Sequence, residues 1–196
     1  TSHPGIDRIA FTGGTETAKK IIKNSANNFA ATNLELGGKS PLVIFDDADI
    51  ESAANGIIAG NFGASGQSCV AGSRVIVQKN ISSKLKDIIK QKSENIIVGN
   101  PLDPKTNLGP LCTSKQIEII ENTINKSVSQ GAEIIFGGKK IEKEGNYFEP
   151  TLIYCPHRDI ETLKIEMFGP VISLIEFDSE EDAIDLANDS EYGLGS

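Results

Sequence analysis

Apolar residues recur along the chain at two spacings, one typical of strands and one typical of helices. Short apolar or alternating segments predict strands at 6–12, 32–36, 41–45, 74–78, 133–136, 148–154 and 171–177. Helical spacing predicts helices at 15–27 and 179–188, and a helix that begins at Asp47 or Asp49 and runs to about residue 61. A further helix is predicted to begin at Ser82-Ser83, and another is predicted to begin at Ser114 and to end before Gly131. Strands that alternate with helices through short connections are typical of α/β folds. We therefore predict a sheet with helices on both faces.

Composition indicates a soluble globular protein and argues against some partners. The 196 residues are 38% hydrophobic and 23% charged, ordinary values for a chain with a packed core. A net charge of −8 disfavours nucleic acid and anionic membranes as partners, because both require clustered Lys and Arg. No apolar run approaches the ~18 residues that span a bilayer. Three widely spaced cysteines form neither a disulfide framework nor a CxxC site, so we expect a cytoplasmic location.

Cys69 is the strongest candidate for chemistry. It lies in the run Gly66-Gln67-Ser68-Cys69, where small neighbours leave an open path for an electrophile. Glu35 stands before Gly37-Gly38, which let the backbone bend away and leave the carboxylate projecting. A thiol and a carboxylate of this kind supply a nucleophile and a base.

These residues also have a purely structural interpretation. An isolated cysteine is most often a packing residue, and a carboxylate at a strand end, such as Glu35, is often paired with a nearby cation such as Lys39. Packing roles are expected for Cys112, Cys155, His3 and His157. No metal is predicted, because Cys155 and His157 lack two further ligands.

Thr12-Gly13-Gly14-Thr15 lies between a predicted strand and a predicted helix. Backbone N–H groups at a helix N-terminus, together with the helix dipole, favour a phosphate. A Gly-Gly turn before a helix is more often only a turn, so both interpretations stay open.

Five motifs follow one another along the chain. They are Phe11-Thr12-Gly13-Gly14-Thr15, Leu34-Glu35-Leu36-Gly37-Gly38-Lys39-Ser40-Pro41, Gly66-Gln67-Ser68-Cys69-Val70-Ala71-Gly72-Ser73-Arg74, Asn100-Pro101-Leu102-Asp103 and Glu166-Met167-Phe168-Gly169-Pro170-Val171. Together they resemble the NAD(P)-dependent aldehyde dehydrogenase superfamily from end to end. The resemblance implies that 1–37 complete a Rossmann-like dinucleotide-binding domain and that 38–196 form an α/β catalytic domain of the aldehyde dehydrogenase type. It also implies a fragment of somewhat under half a typical member, with the catalytic domain truncated at its C-terminus.

The resemblance implies a hydrolytic mechanism that turns an aldehyde into a carboxylic acid. Cys69 would add to the aldehyde, its backbone N–H would stabilise the oxyanion, and Glu35 would activate the water that hydrolyses the thioester. We expect Leu34 and Leu36 to give Glu35 an apolar pocket. Relatives that pass the acyl group to coenzyme A generally lack this glutamate. A coenzyme A-acylating enzyme, a thiol hydrolase without cofactor and an inactive structural or binding relative remain alternatives.

The resemblance further implies NAD or NADP as the cofactor. The expected cofactor contacts are Thr12, Gly13, Gly14, Leu36, Glu166 and Phe168. Glu166 would hold the nicotinamide ribose, and Phe168 would lie beside the nicotinamide. The family often has serine at Gly14 and glycine near Ala18, and these departures are expected to weaken the pyrophosphate contact.

The expected substrate is a small-molecule aldehyde, and the expected assembly of the full-length protein is a homodimer or homotetramer. In the family, a second oxyanion donor comes from an asparagine upstream of Thr1. We therefore expect these 196 residues alone to be inactive.

Overall fold

Strands β1 (Arg8–Thr12) and β2 (Ala31–Glu35) pair in parallel, and helix α1 (Thr15–Ser25) connects them. They belong to the first of two units, 1–38 and 39–196, into which the computed structural model of residues 1–196 divides. The register places Thr12 opposite Glu35, so the carboxyl ends of both strands lie side by side.

The second unit is built on a five-stranded sheet. Its strands are β3 (Pro41–Ile44), β4 (Arg74–Gln78), β5 (Glu133–Phe136), β6 (Thr151–Tyr154) and β7 (Val171–Phe177). They lie in the order β3-β4-β7-β6-β5, in which only the edge strand β5 is antiparallel. Strands β4 and β7 occupy interior positions and are almost wholly buried, as is typical of parallel strands that are covered on both faces.

Five helices accompany this sheet. They are α2 (Ile50–Phe62), α3 (Lys79–Ser93), α4 (Ser114–Ser129), α5 (Glu161–Lys164) and α6 (Glu180–Asn188). Helix α2 begins at a side-chain cap, because Asp49 accepts a hydrogen bond of 2.7 Å from the N–H of Ser52. Ser179 caps α6 in the same way, accepting from the N–H of Asp182 at 3.2 Å.

The sheet separates two apolar cores. Val75 and Val77 of β4 pack with α2 and α3, whereas Ile76 between them packs with α4 and α6. Alternate residues of a strand point to opposite faces, so one β4 strand contributes to both cores. The predicted α/β fold with helices on both faces of the sheet is confirmed.

Some predicted boundaries differ from the structure. The predicted strand 148–154 is wrong in its first half, because β6 begins at Thr151 and Phe148 instead forms an isolated bridge with Lys140. Pro150 lacks the N–H that a ladder needs, which explains the later start. Helix α3 begins at Lys79, before the predicted serine cap. No helix of the structure has the length and apolarity that crossing a membrane requires.

Candidate active site

Cys69 occupies a tight turn between α2 and β4. The N–H of Ala71 donates to the carbonyl of Ser68 at 3.2 Å, which closes a turn with Cys69 at its first corner. The thiol is half-buried. The amide N–H of Cys69 makes no hydrogen bond within the protein, so it is a free donor beside the thiol.

Side chains on both sides of this turn hold it in place. Asn61, buried at the end of α2, donates to the carbonyl of Gly72 at 3.0 Å. The Ser65 hydroxyl donates to the carbonyl of Gly109 at 2.9 Å. Gln67 accepts from the N–H of Cys112 at 2.9 Å. The thiol therefore lies on a loop whose backbone is fixed by three side-chain hydrogen bonds.

Gly66 brings the cysteine loop against the segment that contains Glu166 and Phe168. Its φ is +72°, and a Cβ at this position would overlap the backbone of Gly169 and Pro170. The structure thus places two of the predicted site regions in direct contact. Phe168 itself has a φ of +49° and a ring that is 37% exposed. A left-handed aromatic residue is strained and marks a candidate functional position.

Glu35 ends β2 in the first unit, and its side chain is exposed. Its carbonyl accepts from the N–H of Gly13 at 3.0 Å, so the glutamate and the glycine turn are joined through the backbone. The expectation that Leu34 and Leu36 surround Glu35 with an apolar pocket is wrong, because Glu35 is exposed. Neighbours in a strand point to the opposite face, so Leu34 lies away from the Glu35 carboxylate. Leu36, just beyond the strand, is half-buried.

The glycine turn leaves the start of α1 open. Gly14 is the N-cap, no side chain caps the helix, and a Cβ at Gly14 would meet no atom within 4 Å. A Cβ at Gly13, in contrast, would collide with the ring of Phe11. Ala18 is buried, which places its methyl group away from the solvent above the turn.

The sequence matches the aldehyde dehydrogenase family over residues 1–196, which is its whole length. The chain belongs to the aldehyde dehydrogenase family. It is 46% identical over 197 residues to a (Z)-2-((N-methylformamido)methylene)-5-hydroxybutyrolactone dehydrogenase of Acinetobacter baylyi, covering 100% of this chain and 40% of that protein. It is 43% identical over 197 residues to peroxisomal aminoaldehyde dehydrogenase 2 of Malus domestica, covering 100% of this chain and 39% of that protein.

Solved structures agree with this assignment. Betaine aldehyde dehydrogenase from Staphylococcus aureus, solved in complex with NAD+, superposes with a TM-score of 0.94 at 41% identity, covering 99% of this chain and 40% of that one. A 3,6-anhydro-L-galactose dehydrogenase, solved in complex with NAP, gives a TM-score of 0.94 at 37% identity, covering 98% and 41%. The aldehyde dehydrogenase chain therefore spans about 40% of the length of these relatives.

The other cysteines of this aldehyde dehydrogenase chain lie in different surroundings. Cys155 is buried and shares a 3.5 Å hydrogen bond with Thr162, and burial raises the pKa of its thiol to about 11. Cys112 is exposed, so the packing role expected for it is wrong. Leu111 before it is buried, and the chain turns outward at the next residue.

The histidines make only local contacts. His3 accepts from the N–H of Gly5 at 3.0 Å, and His157 lies 3.1 Å from the carbonyl of Gln130. No group of three His, Cys, Asp or Glu side chains in the structure could hold a metal ion.

Lys39 and Arg74 are buried cations whose placement the sequence does not reveal. Lys39 is 2% exposed, and burial lowers its pKa to about 7. Arg74 donates to the carbonyls of Lys39, Leu186, Ala187 and Asp189. The arginine thereby binds the C-terminal carbonyls of α6, where a cation also favours the helix dipole. A lysine after a Gly-Gly pair carries no periodic signal that distinguishes it from a surface lysine.

Proposed function

We propose that the protein containing this chain oxidises a small-molecule aldehyde to a carboxylic acid with NAD or NADP. Cys69 is the nucleophile and Glu35 is the general base. In this proposal residues 1–37 complete the dinucleotide-binding domain and 38–196 belong to the catalytic domain. The observation that carries the proposal is the turn at Cys69, where a half-buried thiol lies beside its own free amide N–H.

The first step would use the thiolate form of Cys69. The sulfur adds to the aldehyde carbon, and the carbonyl π electrons move to oxygen as an alkoxide. The free N–H of Cys69 donates to that oxyanion. One such donor is typically worth about 3 kcal/mol of transition-state stabilisation.

The residues present fit the dinucleotide at two places. The uncapped start of α1, with open space at Gly14, suits a phosphate. Glu166 can accept hydrogen bonds from vicinal ribose hydroxyls, and the strained, exposed Phe168 offers a ring face beside it. Thr12, Gly13 and Leu36 are the remaining proposed contacts. When bound, the nicotinamide supplies a hydride acceptor, which brings the carbon held by Cys69 to the oxidation level of a thioester.

The last step would use Glu35. Its carboxylate takes a proton from water, the resulting hydroxide adds to the thioester carbonyl, and the Cys69 thiolate leaves. The product is a free carboxylic acid. The exposed position of Glu35 at the strand end is compatible with access to water.

Two further points belong to the same proposal. We infer a homo-oligomeric assembly from the family resemblance, which light scattering on the intact protein would test. We also infer a cytoplasmic location, which three cysteines without a disulfide are compatible with. Fractionation of cells that express the protein would test the location.

The activity is tested on the intact protein with a panel of aldehydes, including betaine aldehyde and aminoaldehydes, and with NAD and NADP separately. We expect cofactor reduction in step with formation of a free acid. Cys69→Ser should lose at least 10³-fold in kcat, because a hydroxyl is a far weaker nucleophile than a thiolate. Cys112→Ser is the matched control, since Cys112 is exposed and its thiol has no role in the proposed reaction. Full activity in Cys69→Ser, or a coenzyme A thioester as the product, would contradict the proposal.

A further inference from the structure

Asn61 is a buried amide one residue before the end of α2. It is 2% exposed, and its Nδ2 donates to the carbonyl of Ile57 at 2.9 Å and to the carbonyl of Gly72 at 3.0 Å. Carbonyl oxygens only accept hydrogen bonds, so the nitrogen of the amide must face both of them. The bond to Gly72 joins the helix to the segment that follows Cys69.

The oxygen of the same amide has no partner. The Oδ1 of Asn61 is sealed from solvent and accepts no hydrogen bond. A buried acceptor without a donor costs free energy, and asparagine is a weaker helix former than leucine. Because the chain itself encloses this oxygen, a donor from any other part of the protein cannot reach it. A leucine of similar size would avoid both penalties, so stability alone does not account for the asparagine.

The bond from Asn61 holds the part of the cysteine turn that lies after the thiol. Ser65 and Gln67 make their hydrogen bonds from positions before Cys69. The backbone bonds within the turn close it on itself and do not attach it to a helix. Asn61 attaches the later part to α2, through a bond whose acceptor, Gly72, is three residues from Cys69.

We propose that Asn61 is a positioning residue, which keeps the free amide N–H of Cys69 in place for an oxyanion that forms at the thiol. The inference rests on the proposed function of Cys69 as the nucleophile. A hydrogen bond weakens steeply when its distance and angle depart from the optimum. A shift of the turn by about 1 Å would therefore weaken this donor while leaving the thiol present.

Two electrophiles distinguish the position of the N–H from the presence of the thiol. With p-nitrophenyl acetate, the thiolate adds to the ester carbonyl, and the resulting oxyanion collapses to a thioester and expels p-nitrophenolate. With iodoacetamide, the thiolate displaces iodide directly, and no oxyanion forms. Asn61→Leu should slow acetylation of Cys69 by about 10–100-fold and change its alkylation by less than about threefold.

Both rates are measured on the intact protein carrying Cys112→Ser, which removes the other exposed thiol. Release of p-nitrophenolate in the first turnover gives the acetylation rate, and mass spectrometry of the Cys69 peptide gives the alkylation rate. Ser93→Ala is the matched control. Ser93 is buried at the end of α3 and donates to the carbonyl four residues before it, as Asn61 does, but makes no bond to the turn. It should leave the ratio of the two rates unchanged.

Three results would overturn the proposal: equal losses in both rates, unchanged acetylation in Asn61→Leu, or a Cys69 that is not acetylated without the substitution. If Asn61→Leu does not fold, Asn61→Ala, which is smaller and also lacks the donor, replaces it with the same outcomes.

Neither rate involves an aldehyde or a nicotinamide cofactor. A selective loss of acetylation in a protein that reduces no cofactor would support the role of Asn61 and reject the dehydrogenase activity. An active dehydrogenase with equal losses in both rates would reject the role of Asn61 alone.

Discussion

Lys39 is the residue whose pKa is changed most by burial. It is the largest of the side chains that are almost completely buried, and its Nζ has no hydrogen-bond partner. Desolvation penalises its charged form, which lowers its pKa from 10.5 to about 7. In the unfolded chain the same lysine is charged up to its ordinary pKa. Folding therefore releases a proton at pH values between these two limits.

Lys39→Met should stabilise the fold at neutral pH. Between pH 7 and 10.5 the unfolded state binds more protons at Lys39 than the folded state, so the contribution of Lys39 to the stability of the wild type rises with pH across this window. The penalty is fully present below pH 7, where it amounts to roughly 5 kcal/mol at most, and it disappears toward pH 10.5. Urea unfolding should show the variant more stable at pH 7, with a smaller difference at pH 9.5.

The control for this comparison is Lys86→Met, whose difference from wild type should not shrink in the same way, because Lys86 has an ion-pair partner. If the difference in unfolding free energy between Lys39→Met and wild type stayed constant between pH 7 and pH 9.5, the lowered pKa of a buried Lys39 would be contradicted.

Individual residues were only partly predictable from the sequence. The runs around Cys69 and Glu35 lead to a turn and a strand end, because glycine and strand periodicity act locally. The apolar pocket for Glu35 was not predictable, since neighbours in sequence point away from each other in a strand. The exposure of Cys112 and the burial of Lys39 depend on distant elements, so local sequence does not determine them.

At the scale of elements, the connection between α2 and β4 determines where the thiol lies. Ala64, Ser65 and Gly66 are left-handed in succession, with φ of +50°, +58° and +72°. Non-glycine residues pay about 1–2 kcal/mol for this conformation. The hydrogen bond from Ser65 to Gly109 and the packing of Gly66 on Gly169 hold the strained segment in place.

Gly66→Ala should disrupt this connection. The new methyl group would overlap the Gly169 carbonyl in a conformation that alanine disfavours, so we expect a loss of about 2–4 kcal/mol in the free energy of unfolding. Gly56→Ala is the matched control. Gly56 lies in α2 with no atom within 4 Å of an added Cβ, and alanine there should add about 0.5–1 kcal/mol. Chemical denaturation measures both, and similar effects of the two substitutions would count against the close packing at Gly66.

The regular elements were more predictable than their connections. Helices α2, α4 and α6 match the sequence prediction closely, because each carries an apolar face, and α2 and α6 also begin at a side-chain cap. Helix α5 has only four residues, too few for helical periodicity to appear. The left-handed turn at 64–66 could not be predicted, because Ala64 and Ser65 occupy positions with a positive φ, a conformation that usually only glycine indicates in a sequence.

At the scale of the whole molecule, the candidate residues lie at the carboxyl ends of strands in one unit and at the amino ends of strands in the other. In the unit 1–38, Gly13 and Glu35 lie at the carboxyl ends of two paired parallel strands. In the unit 39–196, Cys69 precedes β4 and Phe168 precedes β7, so both lie at the amino ends of two paired parallel strands. Ligands of open α/β sheets usually bind at carboxyl ends. The candidate residues of the first unit lie at that edge of their strands, whereas the thiol of the second unit lies at the amino end of its strand.

The central claim is that Cys69 carries the acyl group and that Glu35 is needed to release it. The most direct measurement is mass spectrometry of the intact Glu35→Gln protein after incubation with an oxidisable aldehyde and its cofactor. Without the general base, hydrolysis should slow by about 10²–10⁴-fold, so the thioester should accumulate. We expect one acyl group per chain, located on the peptide that contains Cys69, together with one equivalent of reduced cofactor. An unmodified Cys69, or an acyl group on Cys112, after cofactor has been reduced would contradict the claim.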